Sequence, residues 1–217
     1  STGHFIDGQS INHGVGTFDV INPADQSILC KVAAGNSQTV DLAVGNARAA
    51  FQDGRWRKLS PRERMDVLFR FANLIEEHAE TFALLDTLCM GKPISDMLNI
   101  DIPSSVSCLR YFAELIDKVD GSVTSTASDA FHYILREPLG VVGCIVPWNY
   151  PLLMSIWKIS PALAAGNSVI LKPAEQSPLS GLLLGELFVK AGGPNGILNV
   201  VNGMGEAVGA PLALHMD

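Results

Sequence analysis

The sequence predicts an α/β fold in which a parallel β-sheet carries helices on both faces. From residue 139 onward, short apolar runs typical of buried strands alternate with longer segments at helical spacing. Glycines such as Gly166 and Gly192 close the helical segments. Strands joined through helices form parallel sheets by right-handed crossovers, and such sheets bind ligands at the carboxyl ends of their strands. Function is therefore expected in the segments after Val146, Lys172 and Val201.

Residues 1–120 are expected to form the N-terminal part of the same domain, as short strands followed by helices. Asp7-Gly8 is a dipeptide typical of a tight β-hairpin, and Ile28–Val32 has the composition of a strand. Apolar residues take helical spacing from residue 37, where Ser37 or Thr39 is the expected N-cap. A second helix is predicted to start at Ser60, in a sequence that favours a capping box.

Residues 121–138 are predicted to form a separate β-hairpin arm. Two strand-like runs, Val123–Thr126 and Phe131–Leu135, flank a polar turn. The hairpin is too polar to form a core alone, so we expect it to project and to pair with another surface. Residues 139–217 are predicted to form a Rossmann-like portion. It has strands at Val141–Val146, Ser168–Lys172 and Ile197–Val201, and helices at Pro151–Ala165, Ser177–Ala191 and Glu206–His215.

Composition and charge argue against several classes of protein. Of 217 residues, 47% are hydrophobic and 17% are charged, which is enough to bury a substantial core. The net charge is −7 without a cluster of basic residues, so nucleic acid is not an expected partner. Every apolar run is interrupted well before the ~20 residues of a membrane span, and no signal peptide is visible. We expect a cytoplasmic protein without a membrane partner, whose reduced cysteines lie in the core: Cys30, Cys89, Cys108 and Cys144.

Asn149 stands in the turn that follows the first strand of the predicted parallel sheet. Its side-chain amide can donate hydrogen bonds to an oxyanion that develops on a carbonyl group under attack. The alternative is that Asn149 only caps the following helix, which from chemistry alone is the more common role of such a residue.

Lys172 and Glu175 flank the turn that follows the second strand. A cation and a carboxylate in one turn can hold the two hydroxyls of a ribose, and the carboxylate would repel a 2′-phosphate. The alternative is a solvated turn with a weak ion pair.

After the third strand comes the glycine-rich run Gly203–Gly209, whose backbone amides can approach a phosphate at a helix start. Its spacing is not the usual dinucleotide fingerprint, and close backbone packing at a tight turn explains it equally well.

The helix after Asn149 carries a further candidate surface. Tyr150, Met154 and Trp157 are spaced so that they share one side of the helix. Such a stripe is more often core, but two aromatic rings beside a reactive site can hold a cationic substrate group. Lys158 lies among apolar neighbours, where a lysine usually extends its charge to the surface.

The stretch GVVGCIVPWNYPLLMSIWKISPALAAGNSVILKPAEQSPLS, from Gly140 to Ser180, closely resembles the aldehyde dehydrogenase superfamily. The resemblance covers essentially the whole chain, including the Gly91–Pro93 turn and Arg136–Gly140. Within that superfamily, Asp101–Val123 and the aromatic pair resemble γ-glutamyl-γ-aminobutyraldehyde and betaine-aldehyde dehydrogenases. These enzymes oxidise aldehydes to carboxylic acids: a cysteine attacks the aldehyde, a nicotinamide cofactor accepts the hydride, and a glutamate activates water.

The resemblance implies a role for each matching residue. Asn149 would stabilise the oxyanion, Lys158 would support charge relay, and the hairpin arm would mediate a homodimer or homotetramer. Asp101, with backbone near Ile21, would match a monovalent-cation site. Glu175 would favour NAD over NADP. The implied cofactor-binding residues are Ile145, Val146, Pro147, Trp148, Lys172, Pro173, Ala174, Glu175, Gly205 and Gly209, and the implied substrate pocket is Tyr150, Met154 and Trp157.

One departure from the family pattern limits what the chain itself is expected to do. The nucleophilic cysteine, the general-base glutamate and a second phosphate-binding loop of the family would follow Asp217 in sequence. We therefore expect an inactive N-terminal part of a longer NAD-dependent enzyme. The alternative is a non-catalytic structural or regulatory member of the superfamily. The presence of Asn149, Lys172 and Glu175 favours the first interpretation, because the cofactor site has not eroded.

Overall fold

A computed structural model describes residues 2–217 and contains a five-stranded sheet of order β2-β1-β9-β8-β7. Its strands are β1 (His4–Ile6), β2 (Gln9–Ile11), β7 (Val141–Ile145), β8 (Ser168–Lys172) and β9 (Leu198–Val200). The parallel neighbours β7, β8 and β9 confirm the predicted parallel portion. The sheet as a whole is mixed, because β1 pairs antiparallel with both β9 and β2. A purely parallel sheet was therefore an incomplete prediction.

The remaining strands form two separate hairpins. One pairs β3 (Thr17–Ile21) with β4 (Ile28–Ala33), and the other pairs β5 (Ser122–Thr124) with β6 (His132–Ile134). The second confirms the predicted hairpin at 121–138, and its apolar side chains are exposed. The predicted tight turn at Asp7-Gly8 is also confirmed. Both residues have positive φ, of 51° and 75°, as a two-residue hairpin turn with right-handed strand twist requires.

The first helices of the chain begin at two capping boxes. The helices are α1 (Ser37–Asp53), α2 (Pro61–Glu77), α3 (Ala79–Met90), α4 (Ile94–Asp96), α5 (Ile102–Leu115), α6 (Pro151–Ala164), α7 (Leu179–Lys190) and α8 (Ala210–Leu214). Ser60 caps α2 as predicted. The N-cap of α1 is Asn36, so the prediction of Ser37 or Thr39 was wrong. Asn36 Oδ1 accepts from the Thr39 backbone N–H at 3.1 Å, and Thr39 Oγ1 accepts from the Asn36 backbone N–H at 3.2 Å.

Two π-helical segments depart from the predicted helices. Met97–Asp101 joins α4 to α5, and Gly205–Gly209 precedes α8, where a single helix from Glu206 to His215 was predicted. Hydrophobic spacing in sequence does not distinguish a widened turn from an α-helical one. Pro103 lies in the first turn after the first π segment, and it has no backbone N–H with which to continue the α-helical hydrogen-bond pattern.

Apolar side chains pack on both faces of the sheet. Leu171 and Val200 face a core formed with α2, α5, α6 and α7, whereas Ile170 and Val201 face α1 and Leu212. This confirms helices on both faces. The strand β7 was predicted to be buried, but only Cys144 within it is, because β7 forms one edge of the described sheet. No helix among residues 2–217 is long and apolar enough to cross a membrane.

Candidate functional site

The three predicted functional turns lie at the same end of the sheet, where the parallel strands β7, β8 and β9 finish. Ile145 pairs with Lys172, and Leu171 pairs with Val200, so the carboxyl ends of β7, β8 and β9 are level. The first two turns are also linked directly, since Ser177 Oγ donates to the Trp148 carbonyl oxygen at 3.3 Å. The sequence-predicted site residues of these turns are therefore brought together.

Asn149 lies exposed in the turn between β7 and α6. The residue at the N-cap of α6 is Tyr150, which makes no side-chain capping bond. The alternative interpretation of Asn149 as the helix cap was therefore wrong. Its neighbours in the turn differ in exposure: Val146 is buried, whereas Ile145, Pro147 and Trp148 are exposed. The Asn149 amide is thus presented at the sheet edge with free access to solvent.

Lys172 and Glu175 form a largely buried ion pair. Lys172 Nζ lies 3.0 Å from Glu175 Oε2, and Lys172 is only 3% exposed. Burial acts to raise the pKa of the Glu175 carboxyl, but its own backbone amide and Lys172 outweigh burial and hold that pKa below its usual value. Pro173 and Ala174 between them are also buried. A solvated turn with a weak ion pair was therefore the wrong alternative.

The glycines of the third turn have two different roles. A Cβ atom on Gly203, whose φ is +145°, would lie 2.6 Å from Val208 Cγ2, so close packing explains this residue. A Cβ atom on Gly205 or Gly209 would meet nothing within 4 Å. Close packing therefore does not account for Gly205 and Gly209, and space is left beside the backbone at both.

The sequence model of the Aldehyde dehydrogenase family matches residues 11–217. The chain belongs to the aldehyde dehydrogenase family. It is 50% identical over 201 residues to NADP/NAD-dependent aldehyde dehydrogenase PuuC of Escherichia coli, covering 93% of this chain and 41% of that protein.

Two solved aldehyde dehydrogenase structures are similar over essentially all of the chain. One is P. syringae AldA, an indole-3-acetaldehyde dehydrogenase in complex with NAD+ and IAA. It matches with a TM-score of 0.97 and 47% identity, over 100% of this chain and 44% of that one. The other is γ-glutamyl-γ-aminobutyraldehyde dehydrogenase from Burkholderia cenocepacia, with a TM-score of 0.95 and 48% identity, over 98% and 43%. The chain spans less than half the length of these relatives.

The three candidate substrate-pocket residues are in different environments. Tyr150 and Trp157 are exposed, so the alternative that they are core residues was wrong, whereas Met154 packs against the main core. The ring of Tyr150 already faces a cation of the chain, because Lys92 Nζ lies 3.4 Å from its centroid. Lys158 is exposed, as a surface lysine would be.

An open depression of the surface lies beside Trp157, and it was not predicted from the sequence. It has a volume of about 550 Å³, and one wall is a face of α5 that includes Ser107, Cys108 and Tyr111. Cys108 was expected in the core, but it is only partly buried and lines this depression. The signal was present in the sequence, since residues 104, 107 and 111 recur at helical spacing on the side of α5 opposite its buried stripe.

Asp101 is buried, and its Oδ2 lies 2.5 Å from Lys92 Nζ. Lys92 therefore already compensates the negative charge of Asp101, as a bound cation would. Among residues 2–217 no group of three or more His, Cys, Asp or Glu could hold a metal ion. A monovalent-cation site at Asp101 stays a prediction from resemblance.

All four cysteines are free, as expected. Burial raises the pKa of every one of these thiols, to about 12 for Cys89 and about 11 for Cys144. Cys89 and Cys144 are buried as predicted, whereas Cys30 and Cys108 are only partly buried. A nucleophilic cysteine needs a lowered pKa, so these four thiols have the wrong environment for that role.

Proposed function

We propose that the full-length protein containing this chain oxidises an aldehyde to a carboxylic acid with NAD as hydride acceptor. The observation that carries the proposal is the placement of Asn149 and the Lys172–Glu175 pair at neighbouring strand ends of one sheet. In this proposal the Asn149 amide donates to the oxyanion that forms when a nucleophile adds to the aldehyde carbonyl, and so lowers the barrier to addition.

The residues at the carboxyl ends of the parallel strands fit NAD in three respects. Lys172 and Glu175 offer a donor and an acceptor for the two ribose hydroxyls. The negative charge of Glu175 opposes a 2′-phosphate. The open space beside the exposed Gly205 leaves room for a phosphate to approach the backbone, and the buried Gly209 lies in the same helical segment. The cofactor would supply the hydride acceptor, while the turns of this chain would bind and orient it. Ile145, Val146, Pro147, Trp148, Pro173 and Ala174 belong to the same proposed site.

Replacing Asn149 by Ala in the full-length protein tests the oxyanion role. We expect kcat to fall about 100- to 1000-fold with little change in KM, since the lost hydrogen bond forms only in the transition state. Asn46 makes a matched control, because it lies on α1 beside Gly196 at the opposite end of the sheet. An Asn149→Ala enzyme with the kcat of the Asn46→Ala enzyme would contradict the proposal.

The 217-residue chain alone is proposed to be inactive. Its four thiols all have raised pKa values, so none is suited to attack an aldehyde at neutral pH. We expect no NADH production when the purified chain is mixed with NAD and aldehydes, and at best weak NAD binding by calorimetry. NADH formation by a preparation free of host enzymes, or micromolar NAD binding, would show the proposal to be wrong.

An amino-aldehyde or polyamine-derived aldehyde is the proposed substrate class, with Tyr150 and Trp157 near the entrance. The similarity to a γ-glutamyl-γ-aminobutyraldehyde dehydrogenase and the 52% exposure of Trp157 support it. A specificity profile of the full-length enzyme tests it. Activity on simple aliphatic aldehydes equal to that on aminobutyraldehydes would rule it out.

We also infer a cytoplasmic location, which fits the four unpaired thiols.

A further inference from the structure

The first turn of α6 is capped by a residue of another helix. The first four backbone N–H groups of a helix lack partners within it, and Tyr150 at the N-cap contributes no side-chain bond. Asp86 of α3, which is only 1% exposed, places Oδ2 3.1 Å from the Leu152 backbone nitrogen and accepts its hydrogen bond. A buried carboxyl group thus fixes the start of the helix that follows Asn149.

The partly buried Lys92 contacts Tyr150, the residue between Asn149 and the start of α6. Lys92 Nζ sits 3.4 Å from the centroid of the Tyr150 ring, within the range of a cation–π contact. The same ammonium is held 2.5 Å from Oδ2 of Asp101. Because Asp101 is buried on the π-helical segment, the cation is anchored to the fold and not free to move with solvent. The Tyr150 ring is therefore held from the α3–α5 side of the molecule.

These two contacts constrain the backbone that leads from Asn149. Tyr150 precedes Pro151, which narrows the conformations of both residues. With the Tyr150 ring and the Leu152 amide fixed, the chain has little freedom to change direction after Asn149. We propose that Asp86 and Lys92 are positioning residues that aim the Asn149 amide at the reacting carbonyl. This inference rests on the oxyanion role proposed for Asn149.

The contact between Asp86 and Leu152 does not depend on one protonation state. Burial raises the pKa of Asp86 to about 7, against the opposing influence of the Ser180 hydroxyl and the Leu152 amide. Either form of the carboxyl group has an oxygen that accepts from the Leu152 N–H. An asparagine at this position would offer the same acceptor.

A double-mutant cycle in the full-length protein tests the inference. We expect Asp86→Ala to lower kcat about 10- to 100-fold while KM for the aldehyde changes less than about twofold. A displaced Asn149 amide would weaken its hydrogen bond to the oxyanion, and that bond forms mainly in the transition state. Asp86→Asn should restore kcat to within a few-fold of wild type. In an Asn149→Ala background, Asp86→Ala should have almost no further effect, because the group that it positions is gone.

The cycle also separates positioning from general damage. Glu80→Ala, an exposed acidic residue on the same helix, is the matched control and should leave kcat unchanged. An equal loss of kcat from Asp86→Ala in both backgrounds, or no loss in a folded variant, would overturn the inference. If Asp86→Ala does not fold, Lys92→Met removes the cation from Tyr150 and should show the same dependence on Asn149.

Hydrogen exchange gives a readout that is independent of activity. In the full-length protein, Asp86→Ala should speed amide exchange of the segment 147–153 about tenfold or more, while exchange in α2 stays unchanged. Unchanged exchange in that segment would overturn the inference even if kcat falls. If Asn149→Ala alone leaves kcat intact, the proposed oxyanion role is wrong, and the exchange result still decides whether Asp86 holds the turn.

Discussion

Lys172 carries a charge at a position that is almost entirely shielded from water. Such burial is unfavourable unless a partner compensates, and Glu175 Oε2 at 3.0 Å provides the opposite charge and a hydrogen bond. Lys172 is 4% exposed at its side chain, whereas Glu175 is 29% exposed. The lysine is thus held in place by the fold, and Glu175 is the more exposed partner of the pair. Cofactor selectivity is therefore expected to depend on the Glu175 charge.

Replacing Glu175 by Gln removes the charge but keeps an oxygen that accepts from Lys172. We expect the ratio of kcat/KM for NADP to that for NAD to rise about tenfold in the full-length protein, since repulsion of the 2′-phosphate is relieved. Steady-state kinetics with both cofactors measures the ratio. Glu114→Gln, at an exposed position on α5, should not alter it. A ratio that is the same in wild type and Glu175→Gln would mean that this carboxylate does not select the cofactor.

The helices α1 and α2 begin where nearby residues provide partners for the backbone. The Ser60 capping box of α2 and the Asp7-Gly8 turn were both predicted from a few residues. The N-cap of α1 lies one residue before Ser37, the nearer of the two predicted caps. Asn36 takes this role because its extended backbone lets its side chain reach the Thr39 amide. Several capping residues in succession made the exact start ambiguous in sequence.

The N-cap of α1 can be tested by two neighbouring substitutions. Asn36→Ala should reduce the free energy of unfolding by about 1 kcal/mol, because the Thr39 amide loses its partner. Ser37→Ala is the matched control, since Ser37 is exposed in the first helical turn, and it should change stability by less than about 0.5 kcal/mol. Urea denaturation of the chain measures both. A larger loss from Ser37→Ala than from Asn36→Ala would mean that the cap is misplaced.

The hairpin β5–β6 carries apolar residues but has no core of its own. Val123, Phe131, Tyr133, Ile134 and Leu135 are all exposed, and the rings of Phe131 and Tyr133 lie 5.9 Å apart. Exposed apolar groups that cluster in this way commonly mark an interaction surface. We propose that this arm mediates association in the full-length protein, as a homodimer or homotetramer.

Replacing Phe131 and Tyr133 together by Ser should lower the assembly state of the full-length protein. The change removes apolar area that the proposed contact would bury, and light scattering coupled to size exclusion measures the mass. Val15→Ser is a suitable control, because Val15 is equally exposed but lies outside the arm. An unchanged mass for the arm variant would exclude a role of these side chains in association.

The amino-acid sequence alone predicts the α/β class, the start of α2 at its capping box, the arm hairpin and the three strand-end turns. These features depend on residues close together in the chain, where hydrophobic spacing, turn dipeptides and capping patterns act. Three features emerge only in the folded chain: the sheet is mixed, Lys172 is buried, and Asp86 caps α6 across 66 positions of sequence. Those outcomes depend on contacts between distant segments. Hydrophobic periodicity does not predict such contacts, because it indicates which face of an element is apolar and not which segment packs against that face.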